Sequence, residues 1–200
     1  MLIPALTGFA TSAAFILAIG PQNTFILRQG LARSHVFWLC LFCSVSDFIL
    51  IAAGVAGFGI MVEQFPSLPL IMTLAGAAFL VAYGAMRFVA AYRNDYEMEL
   101  TGAPVGLWTA IATCAAFTWL NPHVYLDTLV LMGAISTEYA GIAAKTAFAL
   151  GASAASFLFF FSLGYGARLL APIMQSARAW RNLDILIGLT MWALAAKLIS

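Results

Sequence analysis

The sequence predicts an all-α polytopic membrane protein of six transmembrane helices, arranged as two inverted three-helix repeats in which helices 1 and 4 are broken. Hydrophobic residues make up 64% of the 200 residues and charged residues only 8%, whereas about 25% of a soluble domain is charged. The apolar residues fall into six stretches that can each supply the ~17–25 residues of a membrane-crossing helix. Two of these stretches contain a proline set among polar residues.

We expect the helices at residues 3–27, 36–60, 68–92, 107–133, 144–167 and 182–199. They form a single transmembrane domain, in which residues 1–92 are repeat one, residues 93–105 are a polar linker and residues 106–200 are repeat two. No basic region precedes the first apolar stretch, so we expect this stretch to remain as a helix instead of being cleaved as a signal peptide. The net charge of +1 gives no case for nucleic acid as a partner.

The two prolines interrupt their helices in polar surroundings, as Gly20-Pro21-Gln22-Asn23 and as Asn121-Pro122-His123. Proline removes a backbone donor and clashes with the preceding helical turn. Lipid cannot satisfy the carbonyls that are freed, so such a break lies against protein or a watery cavity. Paired breaks in corresponding halves indicate the midplane site of a secondary transporter. Since each half has an odd number of helices, the second half must be inserted upside down.

The basic residues of the chain predict its orientation. Seven arginines lie in or beside the links between helices 1 and 2, 3 and 4, and 5 and 6, whereas only Lys145 and Lys197 lie on the other side. The side rich in arginine faces the cytoplasm. Both termini are therefore expected on the periplasmic side.

Asp47 and Asp127 lie well inside predicted spans, and they are the acidic residues that we single out. A carboxylate at the bilayer centre costs ~3 kcal/mol on insertion scales, and such residues usually mark a transport path. Each carboxylate is a candidate for binding a substrate cation or for carrying a proton. The alternative for Asp47 is a structural bond to a neighbour such as Ser44 or Ser46.

Other polar residues at the breaks have two readings each. Gln22, Asn23 and Asn121 either orient a polar ligand or cap the half-helices. His123 is a proton relay or only a hydrogen-bond partner, and Tyr125 stacks on a flat cation or packs.

Two further groups of residues bear on the site. Arg28 is expected to extend to the cytoplasmic interface, with attraction of a carboxylate as the alternative. Cys40, Cys43 and Cys114 are expected to be inert buried thiols, because no cations surround them in the sequence. Cysteines and histidines do not cluster as a zinc site requires, so no metal or other cofactor is expected.

The segments around both breaks resemble the signatures of the bacterial lysine exporter family. These segments run from Ile19 to Gly30 and from Thr118 to Thr128, and Ser46-Asp47 fits the family as well. The likeness covers essentially the whole chain and is strongest to the lysine/arginine branch, especially the arginine exporters. It implies export of basic amino acids through the inner membrane, with Asp47, Asn121, Pro122 and Asp127 on the transport path.

The combined prediction is a non-enzymatic secondary transporter that exports L-arginine, L-lysine or both, by exchange for protons. An exporter of neutral amino acids or another small polar solute is the alternative. An intramembrane aspartyl protease is disfavoured, because Leu126 separates Tyr125 from Asp127 and Ile60 follows Gly57-Phe58-Gly59. The sequence leaves the oligomeric state open, a homodimer included.

Overall fold

A computed structural model describes residues 1–16, 20–58, 68–93, 106–174 and 176–199. The described residues are mostly helical and include no strand, so the predicted all-α class is confirmed. Residues 94–105 of the predicted linker and residues 17–19 before the first break lie outside the described part of the chain.

Eight helical elements follow one another along the described chain. They are α1 (Leu2–Ile16), α2 (Pro21–Leu31), α3 (Val36–Ala53), α4 (Leu68–Arg93), α5 (Leu107–Trp119), α6 (122–136), α7 (Ile142–Gly166) and α8 (Ala177–Ile199). A π-helical turn, Gly54–Phe58, continues α3, and a 3-10 segment, Ala167–Met174, continues α7. We use α6 for a run of three pieces, namely Pro122–Tyr125, Leu126–Leu131 in π geometry and Met132–Ser136.

Two of the described helices are long and apolar enough to cross a membrane, Val36–Gly57 and Ile142–Leu170. The bent pair of α1 and α2, whose axes meet at 82°, makes a third if it counts as one span. Leu107–Trp119 and Asp127–Ser136 are apolar but shorter. The membrane character agrees with the sequence, and six crossing spans stay a prediction.

The broken helices of each half pack against the middle helix of the other half. In the first half α1 and α2 lie against α7 of the second half; in the second half α5 and α6 lie against α3 and its π-helical end. The two remaining pairs, α3 with α7 and α4 with α8, each join corresponding elements. Every described element of one half thus has its main partner in the other half.

Glycines set the closest of these contacts. A Cβ built on Gly133 in α6 would lie 2.7 Å from the carbonyl oxygen of Gly54 at the end of α3. A Cβ on Gly30 in α2 would likewise meet the carbonyl oxygen of Gly164 in α7. Both half-helices therefore approach their partner backbone to backbone, about two and a half to three turns after the respective proline.

The largest buried cluster lies between α2, α3, α4, α5, α7 and α8. Its cysteines are fully buried, with Cys43 Sγ 3.1 Å from Cys114 Sγ and Cys40 Sγ donating to the Phe160 carbonyl at 3.1 Å. This agrees with the prediction of packed, buried thiols. The cluster borders the region between the two helix breaks, where the candidate site lies.

Candidate functional site

The first break separates α1 from α2. Gly20 is extended, with φ −112° and ψ 177°, and Pro21 occupies the first position of α2, where its missing N–H costs no helical hydrogen bond. The side chain of Asn23 reaches back across the break, and its Nδ2 donates to the Ile16 carbonyl at 3.0 Å. The structure thus shows Asn23 capping the end of α1, one of the two predicted roles.

The second break is built in a similar way. Helix α5 ends at Trp119, and Asn121 is non-helical ahead of Pro122. The Tyr125 hydroxyl donates to the Trp119 carbonyl at 2.9 Å, so a side chain beyond the proline again satisfies a carbonyl before it. The following π turn, Leu126–Leu131, carries Asp127, and π turns within helices are frequent at functional sites.

A cavity of about 290 Å³ lies between the two breaks. This volume is near the lower limit of about 300 Å³ for small-molecule pockets, which suits one free amino acid. Both predicted carboxylates line it together with residues of each break. The lining consists of Ser12, Phe15, Ile16, Gly20, Pro21, Gln22, Asn23, Asp47, Leu80, Asn121, Val124, Asp127, Thr128, Met132, Phe160 and Leu194.

The two carboxylates of the cavity differ in their surroundings. Asp47 is 4% exposed, and its Oδ2 accepts a hydrogen bond of 2.7 Å from the Ser156 hydroxyl in α7. The serine that binds Asp47 is thus neither Ser44 nor Ser46, and the Ser44 hydroxyl has no hydrogen-bond partner among the described residues. Asp127 is partly exposed on the cavity wall. It is therefore the more accessible of the two to a solute in the cavity.

Gln22 adds hydrogen-bond donors to the same cavity. It lies in the first turn of α2, is 7% exposed, and its Nε2 has no hydrogen-bond partner within the described part of the protein. The first-turn backbone N–H groups of a helix have no partner inside that helix, and they carry a partial positive charge. Gln22 and the amino end of α2 thus both border one end of the cavity.

Some predicted residues lie elsewhere. Tyr125 is absent from the cavity lining, and the side chains of Pro122 and His123 lie outside the described part of the structure. Arg28 is enclosed by protein and does not extend into solvent. It is 5% exposed, and its Nε lies 3.2 Å from Oδ1 of the fully buried Asp184.

Sequence reasoning missed several polar residues that the fold brings to or near the site. Ser12 and Thr128 line the cavity, Ser156 binds Asp47, and Asp184 holds Arg28. The serines and the threonine had no signal in the sequence, because small polar residues are common in membrane helices. Asp184 lies near the start of the predicted span 182–199, three residues after Arg181, and no motif there indicates its partner.

A cavity between two broken helices, with carboxylates on its wall, is typical of a membrane transporter. The family model described as LysE type translocator matches residues 13–200, and the chain belongs to this family. The predicted resemblance is thereby confirmed, and the protein is a multi-pass membrane transporter and not an enzyme.

Relatives agree with this assignment. The chain is 44% identical to the arginine exporter protein ArgO of Salmonella enteritidis and to that of Salmonella typhimurium. It is 43% identical to the arginine exporter protein ArgO of Salmonella paratyphi C. Each alignment extends over 194 residues, 96% of this chain and 90% of the relative. No solved structure matches this chain.

Proposed function

We propose that this protein exports L-arginine, with L-lysine as a second substrate, from the cytoplasm across the inner membrane in exchange for protons. The observation that carries the proposal is the cavity between the breaks, which Asp127 lines together with Gln22 and the amino end of α2. The family and the arginine-exporting relatives support the substrate class.

The substrate's side-chain cation pairs with Asp127 in this proposal. Asp127 lines the cavity and is partly exposed, whereas Asp47 is buried against Ser156. A guanidinium can bind a carboxylate through two parallel hydrogen bonds, which favours arginine over lysine. Asn121 lines the cavity beside the second break and completes the polar wall at that end.

The substrate's α-carboxylate binds at the amino end of α2. Gln22 supplies a buried amide nitrogen without a hydrogen-bond partner in the described chain, and the helix end supplies backbone N–H groups. The positive helix end and the negative Asp127 then fix the two ends of a zwitterionic solute with a cationic side chain. A neutral amino acid would leave Asp127 without its partner.

Proton exchange is assigned to Asp47, with His123 as a further relay candidate. Moving a +1 solute out against an inside-negative potential costs ~2.3 kcal/mol per 100 mV. One proton entering for each substrate cation leaving would cancel this charge movement. A carboxylate buried on a serine hydroxyl can alternate between charged and neutral forms as the cavity changes sides.

The exchanged helix pairing supports an inverted repeat. When α1 and α2 are exchanged with α5 and α6, α3 with α7, and α4 with α8, the main helix contacts of one half correspond to those of the other. In such transporters one half rocks against the other to expose a fixed site alternately to each side. The cavity lies between the halves, where this movement would expose it.

Purified protein in proteoliposomes tests the function. With labelled arginine or lysine inside and an inward proton gradient, efflux of arginine should exceed that of lysine, and collapsing the gradient should slow both. Labelled leucine serves as the neutral control and should stay inside. Efflux of leucine at the rate of arginine would contradict the proposal and favour the neutral-solute alternative.

A further inference from the structure

A buried ion cluster lies apart from the cavity, formed by Arg28, Arg87 and Asp184. Oδ1 of Asp184 is 3.2 Å from Arg28 Nε and 3.6 Å from Arg87 Nη1, and the Asp184 side chain is fully buried. The Arg28 guanidinium also lies 5.7 Å from the ring centre of Trp180, and that of Arg87 lies 5.2 Å from Tyr83. The cluster joins α2 and α4 of the first half to α8 of the second.

An aromatic layer formed by Phe25, Phe79, Tyr83 and Phe117 lies next to this cluster. The ring of Phe117 is 5.6 Å from Phe25, 4.9 Å from Phe79 and 4.8 Å from Tyr83, measured between centroids. Phe25, Tyr83 and Phe117 are at most 7% exposed. The layer therefore also joins the two halves, because Phe117 belongs to α5.

The order along the helices places the aromatic layer between the cavity and the ion cluster. Helices α2 and α4 each present a cavity residue, an aromatic ring and an arginine in that order: Pro21, Phe25 and Arg28 in α2, and Leu80, Tyr83 and Arg87 in α4. The steps are three or four residues, about 5 Å along a helix. In α8, Asp184 lies ten residues from the cavity residue Leu194, or about 15 Å.

At the matching positions of the other half that the structure describes, the two arginines have apolar counterparts. Matching Gly30 with Gly133 makes Leu131 the counterpart of Arg28. Matching the contacting pair Gly84 and Gly188 makes Met191 the counterpart of Arg87. Apolar side chains thus occupy the matching positions, so helix packing alone does not require the two arginines of the ion cluster.

We propose that the ion cluster and the aromatic layer are the cytoplasmic gate of the transporter, which is closed in this structure. The ion pairs of the cluster hold the gate closed and break when it opens. The proposal rests on the proposed function, because it requires a cavity that opens alternately to the two sides. The seven arginines place this side of the molecule towards the cytoplasm.

The charges suit a gate that must open and close. The attraction within a buried ion cluster is largely offset by the loss of hydration, whereas a matched apolar cluster is often as stable or more stable. When a gate made of ions opens, water hydrates the separated ions. When a gate made of apolar side chains opens, exposing them to water costs about 1.5–3 kcal/mol for each side chain.

Side-specific labelling of a cavity cysteine tests the gate. The probe is Val124→Cys, a partly exposed position of the cavity wall, in a protein whose three native cysteines are replaced by alanine. A membrane-impermeant thiol reagent is added to right-side-out or inside-out vesicles, and the labelling rate is measured from each side. The matched control is Arg168→Gln, which removes an exposed arginine stacked 4.9 Å from Tyr165.

We expect the parent and the control to label faster from the periplasmic side. Asp184→Ala leaves two arginines facing each other, so cytoplasmic labelling should rise at least about tenfold, a change of ~1.4 kcal/mol in the gate equilibrium. The apolar triple variant Arg28→Leu, Arg87→Met and Asp184→Leu should do the opposite. It should keep periplasmic labelling, lose cytoplasmic labelling at least about tenfold, and lose transport.

Two results would overturn the gate. One is parental labelling from both sides in Asp184→Ala, and the other is parental transport by the apolar triple variant, which keeps the test decisive if Asp184→Ala does not fold. The labelling does not depend on which solute is carried. Failure of arginine efflux together with the expected labelling shifts would therefore reject the proposed substrate and retain the gate.

Discussion

At the scale of single residues, the two carboxylates of the cavity are separated by their environments. Asp47 is buried and accepts a hydrogen bond from Ser156, whereas Asp127 stands partly exposed on a π turn. A buried, hydrogen-bonded carboxylate is poorly placed to meet a large guanidinium, but it can exchange a proton. This difference underlies the assignment of substrate binding to Asp127 and of proton exchange to Asp47.

Asp127→Asn should weaken arginine binding. The change keeps the side-chain shape and removes the charge that holds the guanidinium, so we expect a loss of ~1.5–3 kcal/mol, the value of a charged hydrogen bond. This corresponds to a dissociation constant that is about tenfold to hundredfold larger. Equilibrium binding to detergent-solubilised protein measures it, with citrulline as the neutral analogue.

The matched control for this experiment is Glu138→Gln, which removes an exposed carboxylate just beyond α6. Citrulline should bind weakly and equally to the parent and to Asp127→Asn. Unchanged arginine affinity in a folded Asp127→Asn protein would remove Asp127 from the binding site. The same titration on Asp47→Asn should show arginine affinity retained while proton-driven exchange is lost.

Gln22→Met should weaken arginine binding through the other end of the substrate. Methionine has a similar length and no amide donor, so the α-carboxylate loses a hydrogen bond worth ~1.5–3 kcal/mol. Agmatine is arginine without its carboxylate, and its affinity should change little. Gln29→Met is the control, since Gln29 is buried in the same helix but does not line the cavity. An equal loss for agmatine and arginine would contradict this role.

At the scale of elements, the position of Asp127 depends on how closely α6 approaches the end of α3. Cβ atoms built on Gly133 and Gly54 would both collide with backbone oxygens of the opposite element. The contact therefore holds the π turn that carries Asp127 against the end of the helix that carries Asp47. Any side chain there would push the two carboxylates apart.

Gly133→Ala should lower both stability and transport. The new Cβ would lie 2.7 Å from the Gly54 carbonyl oxygen, and overpacking of this kind costs about 1–3 kcal/mol. Thermal unfolding and arginine efflux measure the two effects. Gly166→Ala is the control, because a Cβ there meets nothing within 4 Å, and it should behave like the parent. A parental melting temperature and efflux in Gly133→Ala would show that α6 adapts without cost.

At the scale of the whole molecule, the exchanged helix pairing and the arginine bias make one joint prediction. If the halves are inverted repeats of three spans each, both chain ends lie on the same side. Reporter fusions after Arg33 and Arg178 should therefore report the cytoplasm, and fusions after Glu138 and Ser200 the periplasm. Activity of a periplasmic reporter at only one chain end would reject the six-span topology and, with it, the simple inverted repeat.

The sequence by itself determined the class of the protein and the region of its site. An apolar chain with few charges must bury its backbone polar groups in helices within lipid, and prolines in such helices must leave carbonyls that something else satisfies. These are local rules, so residues such as Pro21 and Asn121 could be placed at a cavity without coordinates. The motifs around both breaks were sufficient to predict the family.

Only the tertiary structure decided which polar residues meet. Ser156 lies 109 residues from its partner Asp47, and Asp184 lies 156 residues from Arg28. Neither pairing has a periodicity or a motif, because it depends on the packing of α7 on α3 and of α8 beside α2. For the same reason the sequence predicts that Arg28 extends to the interface, where the charged head of an arginine near a helix end stays hydrated. Asp184 on the distant helix α8 compensates the charge of the buried Arg28. No local pattern in the sequence predicts this pairing.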